Sequence, residues 1–103
     1  MPSHLEIAWN PDVAALELDG DLDPASAPEL RERVASLIAA GTTSFKLDMA
    51  GVDFIDSSGL RELMRIDQQL EEKGSKLVVL HPSSAVSTLL TMTGLDQRLV
   101  VEA

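Results

Sequence analysis

The sequence predicts an α/β fold: a mixed β-sheet of about four to five strands with about three helices, starting with a β-hairpin. Three observations carry this prediction. A short strand and an alternating stretch meet across Asn10-Pro11-Asp12, so the chain opens as a hairpin. Helical stripes at spacings of three and four then alternate with β-type runs, which builds a sheet with right-handed crossovers. The 103 residues suffice for one core but not two, so a single domain over 1–103 is expected.

Leu5 to Trp9 reads as a short strand and Val13 to Asp19 as the second arm of the hairpin, ended by Gly20. In Asp21-Leu22-Asp23-Pro24, Asp23 can cap a helix whose first position Pro24 would take. Leu30, Val34, Leu37 and Ile38 give that helix its inward stripe, Glu29, Arg31, Glu32 and Arg33 its solvated face, and Gly41 its end.

From about Ser44 a strand follows, with Phe45, Leu47 and Met49 alternating against Lys46 and Asp48. A short acidic loop is expected next, then a helix entered at Asp56-Ser57-Ser58-Gly59. Leu60, Leu63, Met64 and Ile66 supply its apolar side, and Lys73-Gly74 stops it near Glu72. The run Leu77-Val78-Val79-Leu80 suits an interior strand covered on both faces, broken by Pro82. Ala85 to Thr93 reads as a third helix through Val86, Leu89 and Leu90, with Gly94 as its C′ residue. Leu99 to Val101 suits a last edge strand.

Composition removes several classes of function. A hydrophobic fraction of 45% fits a folded globular chain rather than a disordered one. No run approaches the roughly 18 apolar residues of a membrane span, and Met1 to Glu6 lacks the basic start and apolar core of a secretory signal. With no cysteine, disulfides and thiol chemistry are excluded, which is compatible with the cytoplasm. A net charge of −9 opposes direct binding to nucleic acid or an anionic membrane and suits a partner with a basic face.

Catalysis finds little support. A serine nucleophile needs a base, and His4 and His81 are the two histidines on offer. Ile55 to Gly59 lacks the first glycine of a G-x-S-x-G elbow, and no P-loop or G-x-G-x-x-G is present for a nucleotide. The carboxylates come without histidine or cysteine at ligand spacing, so no metal, cofactor or small-molecule ligand is expected. Asp48 superficially matches the phosphoacceptor of a two-component receiver. The first strand, however, ends in Trp9-Asn10-Pro11 without an acidic pair, and Leu99 to Ala103 holds no lysine.

Asp56 is a good N-cap, and Ser57 would then sit on a helical first turn, where backbone N–H groups and the helix dipole favour an anion. Taken by itself Asp-Ser-Ser-Gly reads first as plain capping. Its context changes that. The run Asp48-Met-Ala-Gly-Val-Asp-Phe-Ile-Asp-Ser-Ser-Gly-Leu60 resembles the V-x-F-(I/M)-D-S-S-G-L signature of anti-sigma-factor antagonists of the STAS domain family. Leu18-Asp-Gly-Asp-Leu-Asp-Pro24 resembles that family's earlier L-x-G-E-L-D turn, with Asp21 in place of Glu. Ser83 to Leu95 resembles its S-P-x-V helix ending in G-L. The three blocks cover nearly the whole chain in the family's order, although members often continue into a further helix and these residues stop at Ala103.

The resemblance implies a STAS-type fold and a protein that is acted upon rather than an enzyme. It implies phosphorylation at Ser57, not Ser58, and a partner-binding surface of Asp21, Asp23, Asp56, Ser57, Ser58 and Gly59. The implied partners are an anti-sigma factor that is an ATP-dependent serine kinase and a metal-dependent PP2C-type phosphatase; the ATP and metal belong to those partners. The runner-up is an interaction module of a lipid-transport or transporter complex, sharing the fold without phosphorylation.

Overall fold

A computed structural model describes residues 4–103. Strands and helices follow as β1 (Leu5–Asn10), β2 (Ala15–Leu22), α1 (Ala27–Ala39), β3 (Lys46–Ile55), α2 (Ser57–Glu72), β4 (Val78–Leu80), α3 (Ser84–Thr93) and β5 (Val100–Glu102), with a 3-10 turn at Leu95–Gln97. The sheet is ordered β1-β2-β3-β4-β5. β1 lies antiparallel to β2, and every later pairing is parallel with a helix in the connection. The expected mixed α/β sheet opening on a hairpin is therefore the observed one.

Strand alternation explains where the core sits. Leu5, Leu16, Leu18, Leu47, Met49, Leu77 and Val79 are buried and join Leu30 and Val34 of α1 and Leu63, Ile66 and Leu70 of α2 in one cluster. Their neighbours Glu6, Glu17 and Asp19 are exposed on the other side. Each such apolar side chain contributes about 1.5–3 kcal/mol by leaving water, so α2, with three fully buried apolar residues, is held firmly. α2 also buries two acids. Asp67 accepts from the Leu77 backbone N–H at 2.9 Å, and Glu62 pairs with Arg31 of α1 at 2.8 Å.

Four expectations need correction. Gly20 does not end the second strand; β2 continues to Leu22, with Gly20 paired to Leu5 inside the ladder. Gly20 has φ +121, and a Cβ there would be driven into the His4 carbonyl oxygen, so glycine is required for continuation rather than for a stop. α1 starts at Ala27, so Asp23 is not its N-cap and Pro24 not its first residue. Ser26 holds the cap position and Pro28 lies in the first turn.

The acidic loop expected after Met49 is also absent, because β3 runs on to Ile55. Two register shifts against β2 each insert one extra residue, setting Asp48–Gly51 against Glu17–Asp19 and Val52–Phe54 against Gly20–Asp21. Core positions therefore fall at Leu47, Met49, Val52 and Ile55, and the period of two disappears without the strand ending. Finally, β4 lies between β3 and β5, but Val79 is buried while Val78 and Leu80 are half-buried, so the strand is fully covered on one face.

Candidate functional site

The site forms where β2 and β3 end side by side, at the carboxyl ends of parallel strands, where open α/β sheets place their sites. Leu22 pairs with Ile55 in the last register position, and the Asp56 N–H donates to the Leu22 carbonyl at 3.4 Å. Asp56 is the sole residue between β3 and α2. Its backbone is extended, and its Oδ1 accepts from the N–H groups of Ser58 at 2.9 Å and Gly59 at 3.3 Å. The expected N-cap is thus in place.

Gly59 is buried against the neighbouring junction. A Cβ at this position would meet Ile55 Cγ1 at 2.7 Å, Leu22 Cγ at 2.9 Å and the Leu22 carbonyl oxygen at 2.9 Å. Absence of a side chain is what lets α2 start this close to β2. The approach brings Asp21 and Asp23, which flank Leu22, alongside the start of α2.

The two serines differ. Ser57 is exposed, whereas Ser58 is half-buried with its Oγ accepting from Arg61 Nη2 at 3.3 Å. Asp21 and Asp23 are half-buried. Asp23 Oδ1 accepts from the N–H groups of Ala25 at 2.9 Å and Ser26 at 3.1 Å, forming an Asx turn. Ser26, 2% exposed, donates its hydroxyl to the Asp21 carbonyl at 2.6 Å and accepts from the Asp23 N–H at 3.0 Å. The turn that displaces the start of α1 is the device that holds both aspartates. Asp21, Asp23, Asp56, Ser57, Ser58 and Gly59 therefore belong to one edge of the molecule.

Sequence reasoning missed three contributors. Phe54 is 49% exposed beside this edge, because the extra residue in β3 turns it outward and sends Ile55 into the core. Its only signal was the broken alternation that read as a loop. Arg61 lines both a shallow cleft of about 200 Å³ with Pro24, Ser58 and Glu62 and a larger groove of about 910 Å³ with Ser57, Leu60, Met64 and Arg98. Glu62 is almost fully buried and links α2 to α1 through Arg31, with Arg65 at 3.5 Å on its second oxygen. Neither Arg61 nor Glu62 stood out from an ordinary helix surface.

The arrangement presents the Ser57 hydroxyl, and the histidines lie against carboxylates. His81 Nδ1 lies 3.3 Å from Asp48 Oδ2, and His4 Nε2 lies 3.4 Å from Glu6 Oε1. Among the described residues neither histidine hydrogen-bonds a serine, and no group of three or more His, Cys, Asp or Glu side chains is set to hold a metal ion. No helix among them is long and apolar enough to cross a membrane.

A model of the family described as "Mlab, STAS domain" matches residues 5–102. The chain is 27% identical over 95 residues to an anti-sigma-B factor antagonist of Staphylococcus epidermidis, spanning 92% of this chain and 88% of that one. Its fold resembles the crystal structure of an anti-sigma factor antagonist from Mycobacterium paratuberculosis, with a TM-score of 0.80, 21% identity, and coverage of 98% and 86% of the two chains. It also resembles SpoIIAA of Bacillus in its phosphorylated form, with a TM-score of 0.68, 21% identity, and coverage of 99% and 91%.

Proposed function

This chain belongs to the STAS domain family, and from that premise we propose that it is a cytoplasmic anti-sigma-factor antagonist working as one domain over residues 1–103. Unphosphorylated, it binds an anti-sigma factor that is an ATP-dependent serine kinase, and so releases a sigma factor. The kinase moves the γ-phosphoryl group of ATP to Ser57 Oγ; ADP leaves, the hydroxyl proton is released, and binding ends. A PP2C-type phosphatase hydrolyses the phosphoserine and restores the binding form.

The observation that carries this reading is the exposed Ser57 hydroxyl, displayed on the first turn of α2 next to the cap Asp56. Ser58 is the poorer acceptor, since it is half-buried and engaged with Arg61. A helix start tied to two strand ends keeps its shape when modified, so the phosphate acts on the partner more than on the fold. The group adds about −1.5 to −2 charges beside Asp53 and Asp56. A partner packed on Asp21, Asp23, Ser57 and Phe54 would have to bury that charge, at a cost of several kcal/mol.

Capture from native lysate by wild type and by Ser57→Asp, read by mass spectrometry, tests the proposal. A kinase-like ATPase retained by wild type and lost with Ser57→Asp is the expected result, with phosphate mapped to Ser57. Retention of a transport complex, indifferent to the substitution, would replace this reading with that of a lipid-transport or transporter module.

A further inference from the structure

We propose that Arg61 receives the phosphate of phosphorylated Ser57 within the same chain, an ion pair one helical turn long that holds the off-state in place. This rests on the reading of Ser57 as the phosphoacceptor.

A helix N-terminus ordinarily binds an anion through its free N–H groups. Here, among the described residues, all of them but the Ser57 N–H are committed. Asp56 Oδ1 takes the N–H groups of Ser58 and Gly59, and the Asp56 carbonyl takes that of Leu60 at 3.0 Å. The backbone of the first turn has little left to offer a phosphate, and the adjacent side chain, Asp56, is itself an anion. One N–H leaves most of the phosphate's acceptor oxygens to be met by a side-chain cation.

Arg61 meets that need. It lies four residues after Ser57, the spacing at which helical side chains become neighbours, and both line the same groove. Its guanidinium already reaches back to the first turn, donating to Ser58 Oγ at 3.3 Å. Among the described residues it makes no ion pair, whereas Arg31 and Arg65 are both directed to Glu62. A long bond to a neutral hydroxyl is readily exchanged for shorter, charge-assisted bonds to phosphate oxygens, which a guanidinium can make in pairs. Phosphorylation would thus draw Arg61 from Ser58 to Ser57 and across the end of the groove. The modified form makes a packed partner bury a charged group and also withdraws a cation that the unmodified form displays.

The test uses full-length protein with phosphoserine installed at position 57 during synthesis, so no kinase is required. Phosphorus NMR follows its second ionisation, ordinarily near pH 6. An adjacent cation favours the dianion. Wild type is therefore expected to titrate about 0.5 pH unit below Arg61→Gln, a modest gap because the pair is exposed to solvent. The gap should close in about 1 M salt, and Arg61→Lys should recover part of it. Arg98→Gln, on the same groove, should titrate as wild type. Identical titration of wild type and Arg61→Gln, or a shift produced by Arg98→Gln instead, would overturn the proposal. Failure of the Ser57 reading would appear elsewhere, as partner capture indifferent to Ser57→Asp.

Discussion

Strands β2 and β3 end as neighbours, and each hands the chain to a helix, yet the two junctions are built differently. After β3 there is no slack: Asp56 alone separates Ile55 from Ser57 and caps the helix that begins there. After β2 the chain winds through Asp23 to Ser26 before α1 begins, and Ser26 turns its hydroxyl back to Asp21 and Asp23 instead of capping forward. One junction displays a side chain at a fixed place, and the other holds the Asp23 carboxylate and the Asp21 backbone beside it. Tight coupling fixes where the Ser57 side chain stands. A turn with its own internal bonds keeps its shape independently of the helix that follows.

Gly59→Ala strikes the point where the junctions touch and should have the largest effect on stability. Alanine is the better helix former by about 1 kcal/mol. Its Cβ would lie 2.9 Å from the Leu22 carbonyl oxygen, however, which places overpacking toward the upper end of about 1–3 kcal/mol. A net loss of about 2 kcal/mol in urea unfolding is expected. An increase in stability would mean that α2 has room to move away from β2.

Ser26→Ala and Asp56→Ala separate the two designs. Removing the Ser26 hydroxyl strips a partner from the Asp21 carbonyl and the Asp23 N–H in a buried turn, at about 1.5 kcal/mol. Removing the Asp56 carboxylate costs a helix cap, about 1 kcal/mol. In two-dimensional NMR, Ser26→Ala should move the Asp21–Ala25 amides, and Asp56→Ala those of Ser58 and Gly59. Perturbations that spread equally over both would show that the junctions are one unit.

Lys76, beyond the far end of α2, provides the smallest effect and a control remote from both junctions. Its hydrogen bond to Glu71, at 2.9 Å, raises its pKa above the ordinary 10.5, with attraction to Asp67 and Glu71 adding to it against partial desolvation. A raised pKa stabilises the fold fully below the unfolded value and is lost as pH climbs through the folded one. Lys76→Met should therefore lose less stability than wild type as pH rises past 10.5, read from urea midpoints. Parallel losses in the two proteins would refute the pairing.

The legibility of the two junctions in the sequence follows from how local they are. Asp56 and Gly59 could be placed because a cap and its helix are contiguous, and the apolar spacing from Leu60 to Ile66 points to the same start. Asp23 and Pro24 misled because they satisfy the rules for a helix start, while the actual start is decided by an Asx turn and by Ser26 bonding backward, neither of which has a periodic signal. The alternation around β3 suggests a shorter strand for a related reason. Its two extra residues shift the core from Met49 to Val52 and Ile55, so a continuous strand loses its alternation and Phe54 comes to the surface. Arg61 and Glu62 were invisible because their meaning depends on α1 and the groove, not on their own helix.

Calorimetric titration of the captured kinase-type partner with unphosphorylated and Ser57-phosphorylated protein decides whether Ser57 is a switch. Tight binding of the first and at least a 100-fold loss with the second, about 2.8 kcal/mol, are expected. Equal affinities would contradict this, leaving Ser57 as a residue of the helix start with no part in a switch.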